Sequence, residues 1–192
     1  MDDFILFLRL GLYHVLDWKA YDHILFLIVL TIVFTFSNWK KVLWLITLFT
    51  IGHTLTLGLA AYRFISFDTK IVEFLIAATI FLTAFVNIIM VKKKQKKAYL
   101  NLFFAFFFGL IHGLGFSNYF RMMIDNGDAK IIPLLEFAVG IEIAQVIIVL
   151  SILLVGYIVQ KLLRISKRDW VLVISSIVIG IVIPMLIERK FW

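Results

Sequence analysis

Six apolar stretches of roughly bilayer-spanning length occupy most of this 192-residue chain and leave no room for a soluble domain of ordinary size. A helix needs about 20 apolar residues to traverse the hydrocarbon core, where only its own backbone can satisfy its N–H and C=O groups. The stretches are 21–36, 42–62, 71–91, 98–116, 131–160 and 170–187. A shorter one, 4–16, precedes them and has no small-residue cleavage site of the kind that ends a signal peptide. It reads either as an interfacial, half-inserted helix or as a seventh, tilted span. The expected fold class is therefore an all-α integral membrane protein, one transmembrane helical domain over residues 1–192. At 63% hydrophobic residues, the composition lies well above the about 45–50% of soluble domains. The connections are short, so consecutive spans are expected to pack antiparallel.

The net charge of +7 does not spread over a surface as a nucleic-acid footprint would. It gathers in three loops: Lys40 and Lys41, the run "KKKQKK" at 92–97, and the segment with Lys161, Arg164, Lys167 and Arg168. Those loops hold eleven basic residues and one acid, whereas the rest of the chain holds eight basic residues and eleven acids. The positive-inside rule makes these loops cytoplasmic and turns the loops around Ser66 and Asn126, with the C-terminus, outward. No nucleic-acid partner is expected; the bilayer is. Cysteine is absent, so any metal must be held by nitrogen, oxygen or methionine sulfur.

The polar residues inside the stretches carry the functional signal. The four histidines are His14, His23, His53 and His112, and none lies in a basic loop. His23 follows Asp22 at the outer start of the first span. His53 sits near the middle of its stretch, and His112 lies about 21 Å above its cytoplasmic end at ~1.5 Å per residue. Glu142 lies about 16 Å below the outer end of its own stretch on the same scale. Glu73 sits near an outer end, and Gln145 shares a helix face with Glu142. An acid at a helix centre costs roughly 2.5–3.5 kcal/mol on insertion scales, so such groups normally face a bundle interior and mark a site. Imidazoles and carboxylates converging from several spans match the donors of a divalent transition-metal ion. The ion's charge would also offset the cost of burying the carboxylates.

Each residue also has a structural reading. Asp22 can act as a helix cap. His53 can bond a neighbouring helix, as Thr50 and Thr54 can. Glu142 can be protonated and bonded to Gln145. Gly109 and Gly113 in "FGLIHGLGF" form a small-xxx-small pair that lets another helix approach, which would bring His112 near a neighbour. His14 reaches the others only if "LDWKAY" at 16–21 folds the first helix back onto the bundle.

Five segments, "YDHILF", "FTIGHTLTL", "VEFLIAATI", "FGLIHGLGF" and "FAVGIEIAQ", occur in this order between residues 21 and 145. Together they resemble the motifs of the HupE/UreJ family, small bacterial membrane proteins regarded as nickel or cobalt permeases. The resemblance implies a multi-pass protein of the bacterial inner membrane, with Asp22, His23, His53, Glu73, His112, Glu142 and Gln145 as motif positions. The chain departs from the family pattern at Ala20 and Tyr21, where glycine is usual before the Asp-His pair. It departs again at Ala138 and Ala144, in place of asparagine and glycine.

The expected function is a transition-metal permease, nickel or cobalt first, or a metal-binding membrane protein. His23, His112 and Glu142 form the core of its site, in the outer half of the bilayer. His53 is a fourth ligand or inner relay, and Asp22 an outer attractor or a partner of the His23 ring; His14, Glu73 and Gln145 are accessory. The rival is an intramembrane zinc-type hydrolase using the same residues. A third reading is a metal-sensing or chaperone subunit for a nickel enzyme, and the expected partners include nickel-enzyme maturation proteins or a second copy of the chain. The mostly apolar cytoplasmic halves of the spans favour a dead-end site over a pathway.

Overall fold

The computed structural model describes residues 2–17, 21–92, 98–124 and 131–192. Most of the lysine run (93–97), the loop holding Asn126 (125–130) and the middle of "LDWKAY" (18–20) lie outside the described residues. All regular structure among the described residues is helical: α1 (Asp2–Leu16), α2 (Asp22–Thr31), α3 (Trp39–Ala61), α4 (Thr69–Met90), α5 (Ala98–Gly115), α6 (Ser117–Met123), α7 (Ile131–Leu162) and α8 (Lys167–Glu188). Among them α3, α4, α7 and α8 are each long and apolar enough to cross a membrane, and α5 joins them when counted with α6. The chain is a multi-pass membrane protein.

The first expected span differs from its sequence reading. The stretch 21–36 forms a helix only over Asp22–Thr31, 10 residues or about 15 Å long. The chain then turns and makes a single 3-10 turn, Phe36–Asn38, before α3. Polar side chains flank the stop. The Thr31 hydroxyl donates back to the Leu27 carbonyl at 2.6 Å, and Thr35, Ser37 and Asn38 bond one another instead of continuing the ladder. The buried Asn87 amide of α4 donates to the Val29 carbonyl at 2.7 Å, satisfying a backbone group near the broken end. Beside that end lies a cavity of about 230 Å³ walled by Thr31, the turn that follows it and α7, with Trp170 of α8.

Helix pairing also departs from expectation. The most extensive packing joins α3 to α5, α1 to α7 and α4 to α8, all non-consecutive. Glycine makes the first two possible. A Cβ on Gly52 would strike the Phe106 carbonyl, one on Gly109 the Phe49 carbonyl, and one on Gly113 the His53 carbonyl. The contacts advance together along both chains, so α3 and α5 run parallel, backbone against backbone, with Thr56 donating to the Leu110 carbonyl at 2.8 Å. Gly11 and Gly140 form the corresponding seam between α1 and α7. The first helix thus lies in the bundle, though at 15 residues it falls short of a full crossing.

Position in the bundle follows from burial. The most apolar window of α3 is 56% buried, whereas those of α7 and α8 are 33% and 28% buried. α3 is the central helix; α7 and α8 turn broad apolar faces outward to lipid. Two buried apolar clusters form, one among α2, α4, α5 and α8 with Leu45 and Phe49 of α3, the other mainly among α1, α3 and α7.

The α3–α5 seam yields a test. Gly52→Val forces a branched side chain into the Phe106 backbone and is expected to destabilise by about 1–3 kcal/mol, the usual range for overpacking. Gly180 has nothing within 4 Å of an added Cβ, so Gly180→Ala serves as the control. Thermal unfolding of the detergent-solubilised protein should show a loss for the first and none for the second.

Candidate metal centre

At the seam between the two apolar clusters the structure brings all four histidines together. His14 comes from the last turn of α1, His23 from the first turn of α2 and His53 from the middle of α3. One ring nitrogen from each lies within 4.8 Å of the others. Around one tetrahedral ion, with metal–nitrogen bonds of about 2.1 Å, those atoms would stand about 3.4 Å apart. The rings need close by no more than about 1.5 Å to share an ion. His112, near the end of α5, adds a fourth imidazole whose ring centre is 5.3 Å from that of His23.

The rings are buried among aromatics. Phe26 and Phe49 stack 4.9 Å apart and lie against His112 at 5.0 and 5.1 Å. Phe116 stands at the 53° bend between α5 and α6. It stacks on Phe137 and lies 4.2 Å from His14. His53 and His112 are 0% and 1% exposed, and His23 is 4% exposed.

What these rings bond to decides the reading. Nε2 of His14, Nε2 of His23, both nitrogens of His53 and Nδ1 of His112 are buried with no hydrogen-bond partner. Leaving a buried polar atom unpaired costs about 1–3 kcal/mol, and a native structure that gathers several calls for an explanation. The donor chemistry fits a divalent transition-metal ion, which imidazole nitrogens bind through the lone pairs left free here. One further ring nitrogen on each of His23 and His112 is held. The Asp22 Oδ1 lies 3.1 Å from His23 Nδ1 and accepts the His23 backbone N–H at 2.9 Å. This carboxylate–histidine pair fixes ring orientation and leaves Nε2 for an ion. Asp22 does not cap the helix; Tyr21 holds that position. Thr79 Oγ1 lies 3.2 Å from His112 Nε2.

Glu142 stands elsewhere. Its two carboxylate oxygens accept from Thr47 at 2.6 Å and Thr50 at 2.5 Å, both on α3. Thr50 is also 3.1 Å from Oε1 of the fully buried Gln145. Thr50 and Thr47 precede His53 by three and six residues, so this polar group continues the α3 stripe about 4.5–9 Å beyond the histidines. The sequence reading centred the site on His23, His112 and Glu142. The structure groups His14, His23 and His53, sets His112 beside them and gives Glu142 a station of its own. Glu73 is exposed at the mouth of a cavity of about 750 Å³ that opens onto His14, His23 and His112.

Thr47 and the aromatic collar went unread in the sequence. Thr47 had a signal: with Thr50 and His53 it marks every third residue of one α3 face. The collar had none, because 20 phenylalanines scattered over apolar helices carry no mark of which ones meet.

The unpaired nitrogens of His53 make an unusual prediction for a buried polar residue. His53→Leu should raise the melting temperature of the metal-free protein, by roughly 1 kcal/mol or more of stability, because it removes two unsatisfied buried atoms. Calorimetry after chelator treatment checks it. A loss of stability would make His53 a structural residue.

The family model described as HupE / UreJ protein matches residues 1–189. No curated protein and no solved structure matches the chain.

Proposed function

The chain belongs to the HupE/UreJ family, and on that premise we propose that it is a bacterial inner-membrane permease for a divalent transition-metal ion, nickel or cobalt first. The carrying observation is the cluster of imidazoles in which one nitrogen each of His14, His23 and His53 lies within 4.8 Å of the others, with five ring nitrogens of the four histidines buried and without a protein partner. In this reading α2 is a half-helix beside five crossings and α1 a packed helix of the bundle, all one membrane domain. The basic loops are cytoplasmic, by the positive-inside rule, and the large cavity opens outward.

The ion is the cargo. It enters the cavity past Asp22 and Glu73, sheds water onto His14, His23 and His53, and has His112 beside it. Asp22 holds the His23 ring for capture. Onward, Thr50, Glu142 and Gln145 supply oxygens beside α3. Conduction needs binding favourable enough to admit the ion and divided enough to release it, and two stations on one stripe meet that need. The Phe26–Phe49 stack lies against the histidines, however. A metal-dependent intramembrane hydrolase, with that stack as a closed floor, is the second reading.

Two measurements separate the stations. Equilibrium dialysis of purified protein should find about one nickel or cobalt ion per chain, as a single imidazole cluster would hold. Asp22→Asn should weaken the affinity about 10–100-fold, as loss of a group orienting a ligand does. In proteoliposomes Glu142→Gln should abolish uptake while leaving binding nearly unchanged. Binding without uptake in the wild type would favour the hydrolase; absence of both would end the metal reading.

A further inference from the structure

Arg189 follows α8 at its C-terminal cap, its backbone N–H bonded to the Met185 carbonyl. Its side chain extends into the large cavity. Nη1 lies 3.4 Å from Asp22 Oδ2 and 3.4 Å from the backbone carbonyl of Glu73. Asp22 is thereby committed on both oxygens: Oδ1 to His23, Oδ2 to the guanidinium. Among the described residues lining the cavity there are three carboxylates, of Asp17, Asp22 and Glu73, three imidazoles, and Arg189 as the one permanent cation.

This division of donors matters because divalent cations sort by ligand. Calcium and magnesium take oxygen and hold poorly to imidazole; nickel, cobalt and zinc take imidazole readily. A cavity with acids at its mouth would attract hard ions, which are the more abundant competitors in most surroundings. Asp22 is where the two chemistries meet, since its one carboxylate borders both the open cavity and the His23 ring.

Building on the permease reading, we propose that Arg189 is a tethered cation that makes this site selective against hard divalent ions. A calcium or magnesium ion seeking Asp22 Oδ2 must displace a covalently anchored guanidinium. An ion bound through the histidine nitrogens need not. The guanidinium also keeps Asp22 turned so that Oδ1 serves His23. Arg189 acts through Asp22 and is a positioning and selectivity residue, not a ligand.

The test is nickel binding to the full-length purified protein, measured with and without calcium. Wild type should bind nickel with an affinity unmoved by 10 mM calcium. Arg189→Gln should still bind nickel, but 10 mM calcium should weaken its apparent affinity about tenfold, the factor given by a carboxylate site with a dissociation constant of about 1 mM. Arg189→Lys, which keeps an anchored charge, should resemble wild type. A merely structural Arg189 would lower stability without creating calcium sensitivity. Nickel binding by Arg189→Gln that ignores calcium overturns the proposal. So does radiolabelled calcium binding stoichiometrically to the wild type and displacing nickel, a readout that stands even if the variant does not fold. A wild type that binds no nickel, cobalt or zinc sinks the metal reading itself, and that result is distinct from the other two.

Discussion

Close backbone contact between α3 and α5 is the constraint on which the site depends. Lipid gives helices no hydrophobic reason to associate, so van der Waals contact and hydrogen bonds must supply it, and small residues let the backbones meet. Gly52, Gly109 and Gly113 provide that surface here. Gly113 rests on the backbone of His53 itself, and Gly109 on that of Phe49. The residues that bring the helices together are thus interleaved with those that form the cluster. Holding α3 against α5 brings His53 and His112 each beside Phe49, and the remaining two histidines arrive from shorter helices docked around this pair.

The polar interior is divided by chemistry along one helix. Towards the large cavity the stripe of α3 meets imidazoles packed among aromatics, five of their ring nitrogens unpaired. Three and six residues earlier it meets the Glu142 carboxylate, satisfied by hydroxyls. The imidazole nitrogens are under-bonded, whereas the Glu142 carboxylate is held by two hydroxyls with Gln145 Nε2 unpaired beside it, so the two groups differ in donor chemistry and in how firmly each is held. That hold explains why Glu142 is tolerated at depth: two threonine hydroxyls replace the water it lost, where an unpaired acid would be expelled.

Much of this was legible in the chain. Five of the six apolar stretches are helices within a few residues of their expected ends, because hydropathy alone decides which segments lipid admits. The depth of His53 and the motif role of Gly109 and Gly113 could be read from spacing. Direction could not. Glu142 stands about where its position along α7 placed it, but the partner it faces depends on the rotation of α7 against α3, which one sequence does not encode. His14 depended on how the first helix packs, and that is settled by Gly11 meeting Gly140, residues 129 positions apart. The early end of α2 was masked by apolar neighbours, which run on through Phe34.

The shortness of α2 has an electrical consequence. A cavity adjoins each end of this helix, which spans about 15 Å where the hydrocarbon core is about 30 Å thick. Where both cavities fill with water, a voltage across the membrane drops over half the usual distance, and the local field is roughly doubled. There, a charge beside His23 would stand at the edge of that steeper gradient.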